Sequence, residues 1–107
     1  MKKQGNKQHE ELAEMLKAIA HPERVAILNL ICTSGSPGLT VTGLYTKLKL
    51  LQPVVSRHLG IMKKSGILIR QTEGVNAYYT LDDENPYVQC LLICFTKALA
   101  GKGKKGK

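Results

Sequence analysis

A chain of 107 residues makes one domain with a modest core, and its longest apolar runs last only a few residues, too short to span a bilayer. No hydrophobic stretch follows the lysines of MKKQGNKQHEE, so a secretory signal is not expected and cytoplasmic residence is. The three cysteines are irregularly spaced and form no secreted disulfide framework.

The net charge of +8 is unevenly placed. Lys2, Lys3, Lys7, Lys102, Lys104, Lys105 and Lys107 sit at the ends, leaving residues 8–100 at only +1. Between Glu23 and Glu73, however, lie seven bases and no acid: Arg24, Lys47, Lys49, Arg57, Lys63, Lys64 and Arg70. A one-sided field of this kind favours a polyanionic partner.

Residues 1–8 read as a disordered basic tail, residues 9–100 as the folded domain, and 101–107 (GKGKKGK) as a disordered lysine/glycine tail. Leu12, Met15, Leu16 and Ile19 follow helical spacing, with Glu10, Glu11 and Glu14 near the start. His21-Pro22 opens a second helix, His21 as cap and Pro22 at the first helical position. This helix is apolar over most of its circumference and is expected to be the buried centre. TSGSPG is a loop, and Thr40 caps a short third helix with Val41, Leu44 and Leu48 facing inward.

Lys49-Leu50-Leu51 links tightly to a fourth helix with two different faces. Pro53 suits its first turn, Val55, Leu59 and Met62 make an inward stripe, and Gly66 stops it. Gln52, Val54, Ser56, Arg57 and His58 lie mostly off that stripe, in the N-terminal half, where such groups read base edges in a major groove. Two short helices so joined have the layout of a helix-turn-helix. Ile67–Thr72 and Ala77–Leu81 then read as strands around the turn Glu73-Gly74-Val75-Asn76, a wing. Tyr78 and Tyr79 alternate across it, one to the core and one outward. Asn85-Pro86 opens a last helix with Val88, Leu91, Leu92, Phe95 and Leu99 on its apolar face. The fold class is mainly α with a small β-hairpin: four helices, a two-stranded wing and a C-terminal helix.

"KAIAHPERVAILNLI" (Lys17 to Ile31), "QPVVSRHLGIMKKSGIL" (Gln52 to Leu68) and "AYYTL" (Ala77 to Leu81) resemble, in order and spacing, the ArsR/SmtB family of winged-helix repressors. That resemblance implies a homodimer joined by the first and last helices on a near-palindromic operator. The chain departs from it in four places. The segment Val41-Thr42-Gly43-Leu44-Tyr45 lacks the Cys-x-Cys pair of arsenic and cadmium/lead sensors. The last helix has no His, unlike that of zinc sensors. Leu51 stands where a Ser or Thr usually caps the reading helix, and the wing tip, usually basic, is Glu73-Gly74-Val75-Asn76.

On this reading Gln52, Val54, Ser56, Arg57 and His58 are the candidate base contacts. Lys47, Lys49, Lys63, Lys64 and Arg70 are the candidate phosphate contacts, with Asn76 and Tyr78 as alternatives on the wing. His58 has a second reading as a satisfied core histidine; His9 is expected at the surface. Cys90 and Cys94, four apart on the last helix, with Cys32 as a third sulfur, are candidates for a thiol sensor or a soft-metal or arsenite site. Buried small hydrophobes are the alternative for all three.

No cofactor is otherwise expected. The expected function is a sequence-specific, homodimeric repressor on double-stranded DNA, without a membrane role, with release by a thiol-directed signal as its regulation. The competing class is a winged-helix module that binds a protein partner, or nucleic acid non-specifically. An enzyme is not expected: there is no glycine-rich phosphate loop, no zinc signature and no nucleophile–base–orienter set.

Overall fold

The computed structural model describes residues 7–35, 38–91 and 93. Four helices come first: α1 (Lys7–Ile19), α2 (Pro22–Ser34), α3 (Val41–Leu48) and α4 (Gln52–Lys64). A hairpin of β1 (Leu68–Glu73) and β2 (Asn76–Leu81) follows, and the chain is helical again over 86–91, here α5. Helix α1 takes in Lys7 and Gln8, two residues placed above in the N-terminal tail. Residues 1–6 and 101–107, and Leu92, Cys94, Phe95 and Leu99 of the expected last helix, lie outside the described residues.

Three of the helix starts are set by side chains that satisfy free backbone amides. The His21 ring accepts from the Glu23 amide at 3.2 Å, with Pro22 in the first turn of α2. The Thr40 hydroxyl accepts from the Gly43 amide at 3.0 Å to open α3, and Asn85 Oδ1 accepts from the Tyr87 amide at 3.0 Å ahead of α5. Gly66, at φ 93°, takes the left-handed turn that follows α4.

The largest fully buried side chains are Ile27, Leu44, Val55, Leu59, Met62, Ile67 and Leu68. Three of the seven belong to α4 and one to α2; Leu28 and Ile31, each 4 % exposed, bring the core residues of α2 to three as well, and no residue of α2 from Glu23 to Cys32 is exposed. Helix α2 packs on α1, α3 and β2, but its apolar circumference is wider than those contacts, and Val25, Ala26, Leu30 and Cys32 stay half-buried. The groove-reading candidate α4 thus shares the core with α2 through one face and leaves the other exposed.

In the wing, β1 and β2 pair antiparallel from Leu68↔Leu81 to Glu73↔Asn76 and close on Gly74-Val75. A bridge not foreseen from sequence ties Leu39 to Tyr79: the Tyr79 amide donates to the Leu39 carbonyl at 2.8 Å and the reverse bond is 3.3 Å. Gly38 permits this approach. Its φ is 109°, and a Cβ there would stand 2.6 Å from the Tyr79 carbonyl oxygen and run into the Thr80 methyl. Tyr79 accordingly packs against the core, while Tyr78 on the opposite face is half-buried instead of exposed. No helix among the described residues is long and apolar enough to cross a membrane.

Candidate nucleic-acid interface

The link from α3 to α4 is a tight turn in which Lys49 adopts the left-handed region (φ 58°, ψ 42°). The amides of Lys49 and Leu50 both donate back to the Tyr45 carbonyl, which locks the angle between the two helices. Leu51 then takes the N-cap of α4 with no side-chain cap bond, as its side chain dictates.

Helix α4 presents two faces. Gln52, Ser56 and Arg57 are exposed in its N-terminal half, with Val54 half-buried beside them. Gln52 Nε2 donates to Ser56 Oγ at 3.4 Å, one turn away on the same face. Lys63 and Lys64 are exposed in the last turn. Lys47 and Lys49 at the end of α3, Arg70 on β1 and Asn76 on β2 are exposed as well. The wing tip carries Glu73 and a wholly exposed Val75.

Gly60 lies on the exposed side of α4, and a Cβ added there would meet nothing within 4 Å. Gly60→Ala is expected to stabilise the fold by about 1 kcal/mol through helix propensity alone. Thermal unfolding of the two proteins at equal concentration measures it.

His58 does not belong to the presented set. It is 6 % exposed and lies in the core stripe with Val55, Leu59 and Met62. It stands three residues after Val55, a spacing that satisfies the i, i+3, i+4, i+7 pattern, so the reading that set it off the stripe among the base contacts is corrected and the reading as a satisfied core histidine holds. The polar side chain and its position beside Arg57 suggested otherwise. Both ring nitrogens are engaged: Arg24 Nε donates to Nδ1 at 3.1 Å, and Nε2 meets Glu23 Oε1 at 2.8 Å. Since a guanidinium can only donate and a carboxylate only accept, these partners assign the proton to Nε2. Arg24 also donates through Nη1 to the Ala18 carbonyl near the end of α1, at 2.9 Å.

A network of three helices was thus missed. Arg24, counted above in the basic field, works inside the molecule. It joins the end of α1 to α4 through the start of α2.

The ligating atoms of His21, Glu23 and His58 fall within 4.8 Å of one another, but the donor set is wrong for a metal ion. His21 Nδ1 already accepts the Glu23 amide and His58 Nδ1 accepts Arg24, so each neutral ring has its single lone pair in use. The two rings instead lie against each other, 4.8 Å between centroids and tilted by 57°.

Among the candidate sulfurs, Cys32 is half-buried and Cys90 exposed, both as free thiols, and Cys94 lies outside the described residues. Burial pushes the Cys32 thiol above its ordinary pKa, which keeps it in the unreactive protonated form at neutral pH. The linkage sign follows from the raised value. On alkalinisation the unfolded chain loses this proton first, so Cys32's contribution to stability is intact below the ordinary thiol pKa and is lost as pH climbs through the raised one. Cys32 is expected to alkylate more slowly than Cys90 at neutral pH, as peptide mapping by mass spectrometry can show.

The chain is similar in sequence and fold to known proteins. The family model described as "Bacterial regulatory protein, arsR family" matches residues 21–70. An uncharacterised helix-turn-helix-type transcriptional regulator of Methanocaldococcus jannaschii is 42% identical over 76 residues, spanning 70% of this chain and 83% of that protein. The transcriptional repressor PagR of Bacillus anthracis is 37% identical over 83 residues, 78% of this chain and 79% of its own. Its crystal structure superposes with a TM-score of 0.70 over 81% of this chain and 94% of that one, at 36% identity. A homodimeric winged helix-turn-helix DNA-binding domain from Mycobacterium bovis shares the fold at 22% identity, with a TM-score of 0.74 over 100% of this chain and 96% of that one.

Proposed function

From the premise that this chain belongs to the arsR family of bacterial regulatory proteins and is a DNA-binding transcriptional repressor, not an enzyme, we propose that it works as a homodimer on a near-palindromic operator. Helix α4 enters the major groove of each half-site, and the two copies lie roughly one helical turn apart on the duplex. Gln52, Val54, Ser56 and Arg57 meet base edges. Lys47, Lys49, Lys63, Lys64 and Arg70 meet phosphates. Dimerisation through α1 and the C-terminal helix is supported by the large apolar side chains exposed on them, Leu16 at 44 % and Ile93 at 60 %. The observation that carries the reading is the exposed polar N-terminal half of α4, set in a stretch of 49 residues without an acid.

Thiol-directed release enters this reading first through Cys90, the exposed sulfur among the described residues, with Cys94 as the expected partner four residues on. Loss of operator binding on alkylation, spared in Cys90→Ser or in the double variant with Cys94→Ser, supports that route; equal loss in both variants rejects it.

The decisive experiment is fluorescence-anisotropy binding to the DNA upstream of the chain's own gene, against unrelated competitor, near physiological salt and with reductant. A preference of about a thousandfold or more is expected. Binding that is equal on all duplexes and strongly salt-dependent supports the non-specific alternative, and no binding at all supports a protein partner. Lys63→Ala is expected to weaken binding to every duplex alike and to flatten the salt slope of log K by about 0.9 for each protomer, about 1.8 for the dimer.

A further inference from the structure

Leu51 is out of place by two physical standards. It holds the N-cap of α4, where Ser, Thr, Asp or Asn would satisfy a free amide, and makes no side-chain cap bond. It also leaves 73 % of a leucine in water. Its neighbours along α4 are exposed Gln52 and Pro53 and half-buried Val54, so the first turn carries an apolar edge beside the polar Gln52–Ser56 pair.

A leucine that neither caps nor packs on the core is accounted for by what approaches it. The approaching molecule meets α4 at its N-terminal tip, the part a helix-turn-helix directs at base edges. It does so within the acid-free stretch between Glu23 and Glu73, whose seven bases favour a polyanion. In a major groove the apolar group on a base edge is the thymine C5-methyl.

We infer that Leu51 is a specificity-determining residue that packs on a thymine methyl in each half-site, with Val54 extending the same apolar edge. The inference rests on the assignment of α4 as the DNA-reading helix. It explains the forfeited cap: a serine there would steady the helix and offer no surface to a methyl group.

The test begins with selection of the preferred duplex from a random pool by the full chain. Each thymine is then replaced singly by deoxyuridine, which removes the methyl group and nothing else. At one or two positions per half-site, uridine is expected to lower wild-type affinity roughly fourfold, the value of one buried methyl-sized group. Leu51→Ala is expected to bind thymine and uridine duplexes equally at those positions. Leu51→Ser is expected to lose the same discrimination while its Tm rises, which separates the role in recognition from damage to the fold. Indifference to uridine at every position, or full retention of the uridine effect in Leu51→Ala, overturns the inference and leaves α4 as the reading helix. Failure to enrich any duplex overturns that assignment and this inference together.

Discussion

Replacing Arg57 by alanine is expected to cost about 1–3 kcal/mol of binding free energy on the preferred operator and to relax base preference at one position of each half-site. Arg57 is exposed on the outward face of α4, while Val55 and Leu59, two residues to either side, are fully buried. The backbone that carries Arg57 is therefore held by the core, and the guanidinium projects from a fixed base. A planar fork on a rigid helix suits the two acceptors of guanine, O6 and N7. The measurement is anisotropy on the operator and on single-base variants of it. Loss confined to duplexes that keep the preferred base identifies a base contact; equal loss on every duplex reduces Arg57 to a phosphate contact.

Arg24→Ala is expected to destabilise the fold by about 2–3 kcal/mol, because it deletes two hydrogen bonds from a charged donor and leaves a buried ring nitrogen of His58 without a partner. The Ala18 carbonyl loses its donor in the same step. Urea unfolding at fixed protomer concentration reads this, since a dimer's stability depends on concentration. The double variant with His58→Ala should fall short of the sum of the single effects by 0.5 kcal/mol or more, the mark of two side chains that share one network. Strict additivity would show that Arg24 acts only through Ala18. Arg24→Lys is expected to recover only part of the loss, since a single ammonium cannot span both acceptors with the geometry of a guanidinium.

The elements of this fold were legible from local rules. His21-Pro22 and Thr40 announced two helix starts through the chemistry of capping, and the hairpin bounds came within one residue on each strand. Where local reading failed, the deciding partner lay far away in the chain. His58 is 35 residues from Glu23 and 34 from Arg24, and nothing near it in sequence says that a histidine at this helical position has partners inside. Its residue type argued for the surface and its spacing argued for the core; spacing prevailed, because burial was made affordable by two fitted hydrogen bonds. The Leu39–Tyr79 bridge escaped for the same reason, since it joins segments 40 residues apart through a glycine whose φ only the folded chain requires. Of the candidate interface, the exposed residues of α4 were legible because they stand off its apolar stripe.

The short hairpin turn has a consequence for the length of DNA this molecule occupies. Its tip bears Glu73 and an apolar Val75, and the one basic residue of the hairpin, Arg70, sits three residues back toward the body. A carboxylate at the tip would be repelled by flanking phosphates, so on the proposed reading the hairpin's grip on DNA is expected to come from its root, at Arg70. On the proposed homodimer, the protected segment is then expected to be compact, ending close to the outer edges of the two half-sites, so that neighbouring sites can lie close together without one copy obstructing the next, as nuclease footprinting would show.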